Sequence, residues 1–120
     1  MRRRLEDDIQ RAVVAHIRTR GVSGLCWFHP PNGGARTRAE GAIFKGLGVQ
    51  PGVSDLIFFF DGVMYALELK TPKRQPTEAQ RQFMRQVVNN GGRANWARSV
   101  NEAVGVLEHW GLLRGAMQNG

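Results

Sequence analysis

Cysteine is almost absent: Cys26 is the only one in the chain. A disulfide within one chain is therefore excluded. No CxxC or HxxxH spacing joins Cys26, His16, His29 and His109, so zinc finds no ligand set of that kind. Long apolar runs are also lacking. Leu56 to Phe60 falls far short of the ~20 residues of a membrane span, so no membrane partner is expected. Neither a P-loop nor a GxGxxG turn occurs, which leaves a nucleotide cofactor without support. The opening Met1 to Asp8 leads into no apolar stretch, so no secretory signal is expected and a cytoplasmic location is the default expectation. Cys26, flanked by apolar neighbours, reads as a core thiol.

What the chain has is positive charge and enough apolar residues for one core. Its 120 residues and 13.4 kDa are one domain's worth. Residues 1–113 read as that domain and 114–120 as a loose tail. Lys plus Arg number 17 against 10 acidic residues, a net charge of +7, and all but Lys45, Lys70 and Lys73 are arginine. A small domain this basic points to a polyanion, most simply nucleic acid.

Hydrophobic periodicity gives an α/β order. Leu5, Ile9, Val13 and Ile17 recur every fourth residue and predict a helix over 4–20. Leu25 to His29 reads as a short strand closed by Pro30 and Pro31. A short helix over 37–46 follows the loop Asn32-Gly33-Gly34. The strongest strands are 54–60 and 63–70, joined by Asp61-Gly62, a favoured two-residue hairpin turn. Thr77 with Gln80 reads as a capping box opening a helix whose stripe is Phe83, Met84, Val87 and Val88. A strand over 93–98 precedes a second capping box, Ser99 with Glu102, and a last helix. Both faces of the hairpin are largely apolar, so helices are expected on both sides of the sheet.

The hairpin permits a geometric argument. With a two-residue loop, Phe60 pairs with Val63 and Asp55 falls opposite Glu68. Asp55, Ile57, Phe59, Met64, Ala66, Glu68 and Lys70 then share one face. Directly opposed Cβ atoms lie ~4.5–5.5 Å apart. Two carboxylates that close repel each other, and an apolar hairpin screens them poorly. A divalent cation resolves the conflict, and all-oxygen ligation is the habit of Mg²⁺ or Mn²⁺. Lys70, two residues past Glu68, can polarise a metal-bound water or stabilise charge on a phosphoryl group. Taken singly, each of these residues is better read as a solvated strand end or a turn cap. Together with a basic surface they suit phosphodiester hydrolysis.

The ordered set Asp55, Glu68-Leu69-Lys70 resembles the D-x(n)-E-x-K signature of the PD-(D/E)xK nuclease superfamily. The wider string is similar to its VRR-NUC family. The segments that carry the resemblance are His29 to Gly34, Pro51 to Leu56, Ala66 to Thr71, Thr77 to Gln80, Phe83, Gly91-Gly92 and Arg98-Ser99. Ser54 departs from the proline that many superfamily members place before the aspartate. The resemblance implies a restriction-endonuclease-like mixed central sheet flanked by helices, in α-β-β-β-α-β-α order. It implies Asp55 and Glu68 as metal ligands, the Leu69 backbone carbonyl as another, and Lys70 as the catalytic lysine. It further implies that Gln80 helps to order the site and that Glu6, on the first helix, can join the ligands. Thr77 offers Gln80 a purely structural role, and Glu6 can be ordinary helix N-terminal acid.

The function implied is a Mg²⁺- or Mn²⁺-dependent endonuclease, and the similarity to stand-alone members points to branched DNA such as a Holliday junction. A C2 homodimer would match that symmetry, and a phage or mobile-element source would suit so small a nuclease. A restriction-type or flap nuclease on duplex DNA, and a non-catalytic DNA-binding module, are the alternatives. Lys73 and Arg74, just past the catalytic strand, and Arg36 and Arg38, on the Gly-rich loop with Asn32, are the expected DNA contacts. His29 stands at a strand end that could face the site. His16 and His109 read as structural.

Overall fold

The computed structural model describes residues 2–31 and 37–115. Its elements are α1 (Arg2–Arg20), β1 (Cys26–Phe28), α2 (Arg38–Gly46), β2 (Leu56–Phe60), β3 (Val63–Leu69), α3 (Glu78–Asn89), β4 (Arg93–Ala97) and α4 (Val100–His109). The four strands form one mixed sheet in the order β1-β2-β3-β4. The first two pairings are antiparallel and β3 with β4 is parallel, the crossover being α3. No helix among the described residues is long and apolar enough to cross a membrane.

The turn sets the register. Asp61 (φ 52°) and Gly62 (φ 81°) both take the left-handed conformation that a type I′ hairpin needs. Phe60 pairs with Val63 and Leu56 with Leu67, as the two-residue loop dictates. One face of the sheet carries Leu56, Phe58, Tyr65, Leu67 and Leu69 into the main core beneath α1 and α4. The other carries Ile57 and Ala66 into a smaller core with Val87 and Phe83 of α3.

Several sequence expectations shift in detail. Leu5 is 47% exposed, whereas Ile9, Val13 and Ile17 are buried. A spacing of four advances the helix ~40° beyond a full turn each time, so three steps from Ile17 carry Leu5 off the buried face. Val88 of the α3 stripe is exposed for a similar reason, lying one residue past Val87. Thr77 and Gln80 form a complete capping box. Ser99 forms only half of one: its hydroxyl accepts from the Glu102 N–H, but the Glu102 carboxylate turns to the Arg98 N–H at 2.8 Å. Arg114, at the head of the expected loose tail, bonds to the Thr19 carbonyl at 2.7 Å and to that of Gly21, and its own carbonyl accepts from Arg20. Residues 116–120 lie outside the described residues.

The largest correction concerns coverage. Cys26 is exposed, not a core thiol, and Phe28 and Phe59 on the same face are 48% and 43% exposed. The reason is that α3 packs chiefly on β3 and β4 and reaches β2 only at Ile57, leaving Cys26, Phe28 and Phe59 uncovered among the described residues.

Candidate functional site

The site forms where β2 leaves the sheet. Leu56 is the first residue of β2, so Asp55 sits one step past the ladder, in register opposite Glu68 near the end of β3. Alternation along the hairpin makes Asp55–Glu68 a non-hydrogen-bonded pair, the closer of the two antiparallel kinds. Past it the Asp55 side chain takes over the role of a strand: its Oδ2 accepts from the Leu69 N–H at 2.8 Å. In a strand, the N–H and C=O of one residue point to the same side, so the Leu69 carbonyl faces the Asp55 side too. On the far side, Lys70 N–H donates to the Ala97 carbonyl at 2.8 Å, which fixes Lys70 beside β4.

What aims Asp55 is the turn before it. Gly52 (φ 81°) rests against the first turn of α3, and a Cβ there would lie 2.3 Å from the Ala79 carbonyl oxygen. Any side chain meets both a strained backbone and a backbone wall. Gly52→Ala is expected to cost about 2–4 kcal/mol of stability and to displace Asp55, read as a lowered Tm together with reduced activity.

Burial makes the carboxylates costly. Glu68 is 2% exposed and Lys70 5% exposed. Lys70 Nζ stands 3.6 Å from Glu68 Oε2. The other oxygen, Glu68 Oε1, is buried with no donor against it, as is the hydroxyl of Ser54 next to Asp55, and without a cation the two carboxyl groups can hydrogen-bond to each other only by sharing a proton. Desolvation and then the nearby Asp55 charge push Glu68 up to about 8, against which Lys70 acts. Burial also raises Asp55, opposed by the Leu69 hydrogen bond. A buried acceptor left empty in a native fold calls for an explanation. An oxygen-seeking cation supplies one.

Glu6, half-buried on α1, belongs to the same electrostatic neighbourhood. Its pKa is raised by burial, with Lys70 and Arg74 lowering it and Asp55 raising it. It does not complete a tight ligand cluster: among the described residues no three His, Cys, Asp or Glu side chains converge as a metal site. The nearer donors are Asp55, Glu68 and the Leu69 carbonyl, a set that suits a cation keeping several waters.

The remaining candidates fall into two groups. Lys73 and Arg74 are exposed in the turn that follows β3, with Arg74 close enough to act on Glu6. Gln80 spends its side-chain oxygen on the Thr77 N–H at 2.8 Å, the structural role. Arg38 opens α2, which packs substantially on no other described element. Arg36 and Asn32 lie outside the described residues. His29 gains a position that its sequence context left open. Its Nδ1 is 2.6 Å from the Asp55 backbone carbonyl, so it braces the departing strand from the β1 side. The sequence signal for it was the placement just ahead of Pro30 and Pro31, at the end of the strand that pairs with β2.

No protein-family model matches the chain. No curated protein matches it. A solved structure of a VRR_NUC domain protein does: it superposes with a TM-score of 0.73 at 23% sequence identity, over 91% of this chain and 90% of that chain. The chain therefore has the fold of that domain, the mixed sheet with flanking helices expected from the sequence.

Proposed function

We propose that this chain, whose fold is that of a VRR_NUC domain, is a divalent-metal-dependent endonuclease that hydrolyses DNA phosphodiesters. The observation that carries the reading is the orphaned Glu68 Oε1, buried opposite Asp55 with Lys70 beside it. Asp55, Glu68 and the Leu69 carbonyl would hold Mg²⁺ or Mn²⁺. The cation would supply an acidified water and stabilise charge on the phosphoryl oxygens. Lys70 is held by its ion pair at a fixed place on the rim of the carboxylates, where its ammonium can meet a scissile phosphate. His29 and the Gly52 turn keep Asp55 in position; they are positioning residues. Glu6 is proposed as an outer carboxylate that tunes the site rather than as a direct ligand.

The substrate proposed is branched DNA such as a Holliday junction, cut by a homodimer with one site per half. Support for DNA comes from the net charge of +7 and from the exposed Lys73 and Arg74 in the turn after β3, Arg74 lying close enough to act on Glu6. Affinity then arises mainly from phosphate neutralisation and counterion release, with little reading of bases. Changing both Lys73 and Arg74 to alanine is expected to weaken binding alike across scrambled sequences. It should also flatten the salt dependence by about two ions' worth of slope. Binding titrations at several salt concentrations check this.

The test of the substrate is a cleavage panel of junction, flap, single-stranded and duplex DNA of matched sequence. Preferential cutting of the junction is expected. Equal cutting of linear duplex would make the protein a restriction-type or repair nuclease instead.

A further inference from the structure

A groove of about 410 Å³ lies between α4 and β4, the last strand in the sheet order. Its walls include Asn95 and Trp96 of β4, Glu102, Gly105 and His109 of α4, and the C-capping Trp110. Gly105 stands in the middle of α4, where glycine weakens a helix relative to alanine. Beyond its chain neighbours and the helix backbone, a Cβ there meets no described atom within 4 Å, so packing among the described residues does not require the glycine. What the missing side chain does is leave the groove open along α4. Trp96 and Trp110 give the groove two aromatic walls. Trp110 is held against Tyr65, with ring centroids 5.2 Å apart. Trp96 carries the Arg98 guanidinium 5.6 Å from its ring centroid.

The groove adjoins the carboxylates. Trp96 pairs with Glu68 in the β3–β4 register, one strand spacing of ~4.8 Å away. One step further, the Lys70 N–H donates to the Ala97 carbonyl at 2.8 Å, which brings the exposed Arg98 level with Lys70. Arg93, also exposed, begins the same strand. Positive charge thus stands at the two ends of β4, while the ionisable groups lining the groove itself are Glu102 and His109. Glu102 keeps its place by accepting from the Arg98 N–H at 2.8 Å. A phosphate suits the arginines and is repelled from the interior by Glu102. A flat, uncharged ring suits the interior.

We propose that the groove between β4 and α4 receives an unpaired base of the DNA substrate, stacked on Trp96, with its phosphate on Arg98. An arginine already lying on an aromatic ring is placed to meet the phosphate of a base stacked beside it. A base reaches such a wall only when it is out of the double helix. The groove therefore selects DNA with unpaired nucleotides next to the scissile phosphate, the state of a strand at an open branch point or a frayed end. Stacking of this kind tolerates any sequence, because every base has a π face. It is compatible with an affinity that reads few base edges. The proposal rests on the DNA reading above and assigns the preference for unpaired DNA to particular residues.

The experiment measures binding by the full chain in EDTA, where no cleavage intervenes, to two DNAs of matched length. One is a fully paired duplex. The other is a fork whose first unpaired position carries 2-aminopurine, a fluorescent adenine analogue. The variants are Trp96→Leu and Gly105→Leu, each with a thermal melt. Gly105→Leu fills the groove, removes no charge and improves the helix, so it should melt no lower than wild type. Wild type is expected to bind the fork about tenfold tighter than the duplex and to quench the 2-aminopurine emission. Gly105→Leu should lose both the preference and the quenching while keeping the salt slope, because no phosphate contact is removed. Trp96→Leu should lose the quenching. Fork preference and quenching unchanged in Gly105→Leu would overturn the proposal, a result that fits a peptide added along the β4 edge instead. Equal affinity of wild type for fork and duplex would overturn it too, and in both cases the DNA reading stands. A wild type that binds neither DNA would remove both.

Discussion

Replacing Lys70 is expected to lower the rate of DNA cleavage by about 10²–10³-fold while leaving the dissociation constant for DNA within a few-fold. The ammonium sits on the rim of the carboxylate pair, 3.6 Å from Glu68 Oε2. Its stem is buried, so Lys70 contributes little surface charge to DNA binding. An interaction felt mainly as phosphoryl charge develops lowers kcat rather than affinity. Lys70→Ala also leaves a cavity where the buried stem packs, which is destabilising in its own right. Lys70→Met keeps the packing of the stem and removes only the charge. The two variants should therefore differ in Tm and agree in kcat. Near-normal turnover in Lys70→Met would reduce Lys70 to a structural counter-ion.

The second large effect is on stability. Glu68 is pushed from 4.5 up to about 8 by burial and by Asp55. In the folded, metal-free protein it therefore stays protonated at a pH where the unfolded chain has lost the proton. Folding takes up a proton across that window. The stability it contributes is fully present below about 4.5 and is lost as pH rises through about 8. Asp55, raised by the same burial, acts in the same direction. The metal-free protein should melt at a lower temperature at pH 8.5 than at pH 6. Mn²⁺ or Mg²⁺ should reverse this, because a ligand that binds only the folded state stabilises it. It competes with the proton for the same carboxylates, so the gain in Tm should grow with pH. Glu68→Gln should abolish most of both the pH slope and the metal response. A Tm gain that is flat with pH, or retained in Glu68→Gln, would detach metal binding from this pair.

The hairpin was legible in the sequence because two independent signals agreed there. Asp61-Gly62 admits few turn geometries, and the period of two in 55–70 leaves one register that buries the apolar side chains. That register alone places Asp55 opposite Glu68. Burial on the β1–β2 face was not legible, because alternation shows which residues share a face and not whether a helix covers it. Cys26 was misread for that reason. The partial box at Ser99 was likewise hidden, since Ser-x-x-Glu spacing is also satisfied when the glutamate caps the residue before. Neither the brace from His29 to the Asp55 carbonyl nor the empty Glu68 Oε1 could be read from spacing, because both depend on how β2 parts from β3.

The most direct test is cleavage of a four-way DNA junction by the wild-type chain with Mg²⁺ or Mn²⁺, with EDTA, and by Glu68→Gln with the same metals. Strand scission that requires the metal, stops in EDTA and is lost in Glu68→Gln is the expected result. Metal-independent scission, or scission by Glu68→Gln at the wild-type rate, would contradict the assignment of Asp55 and Glu68 as the metal-holding pair.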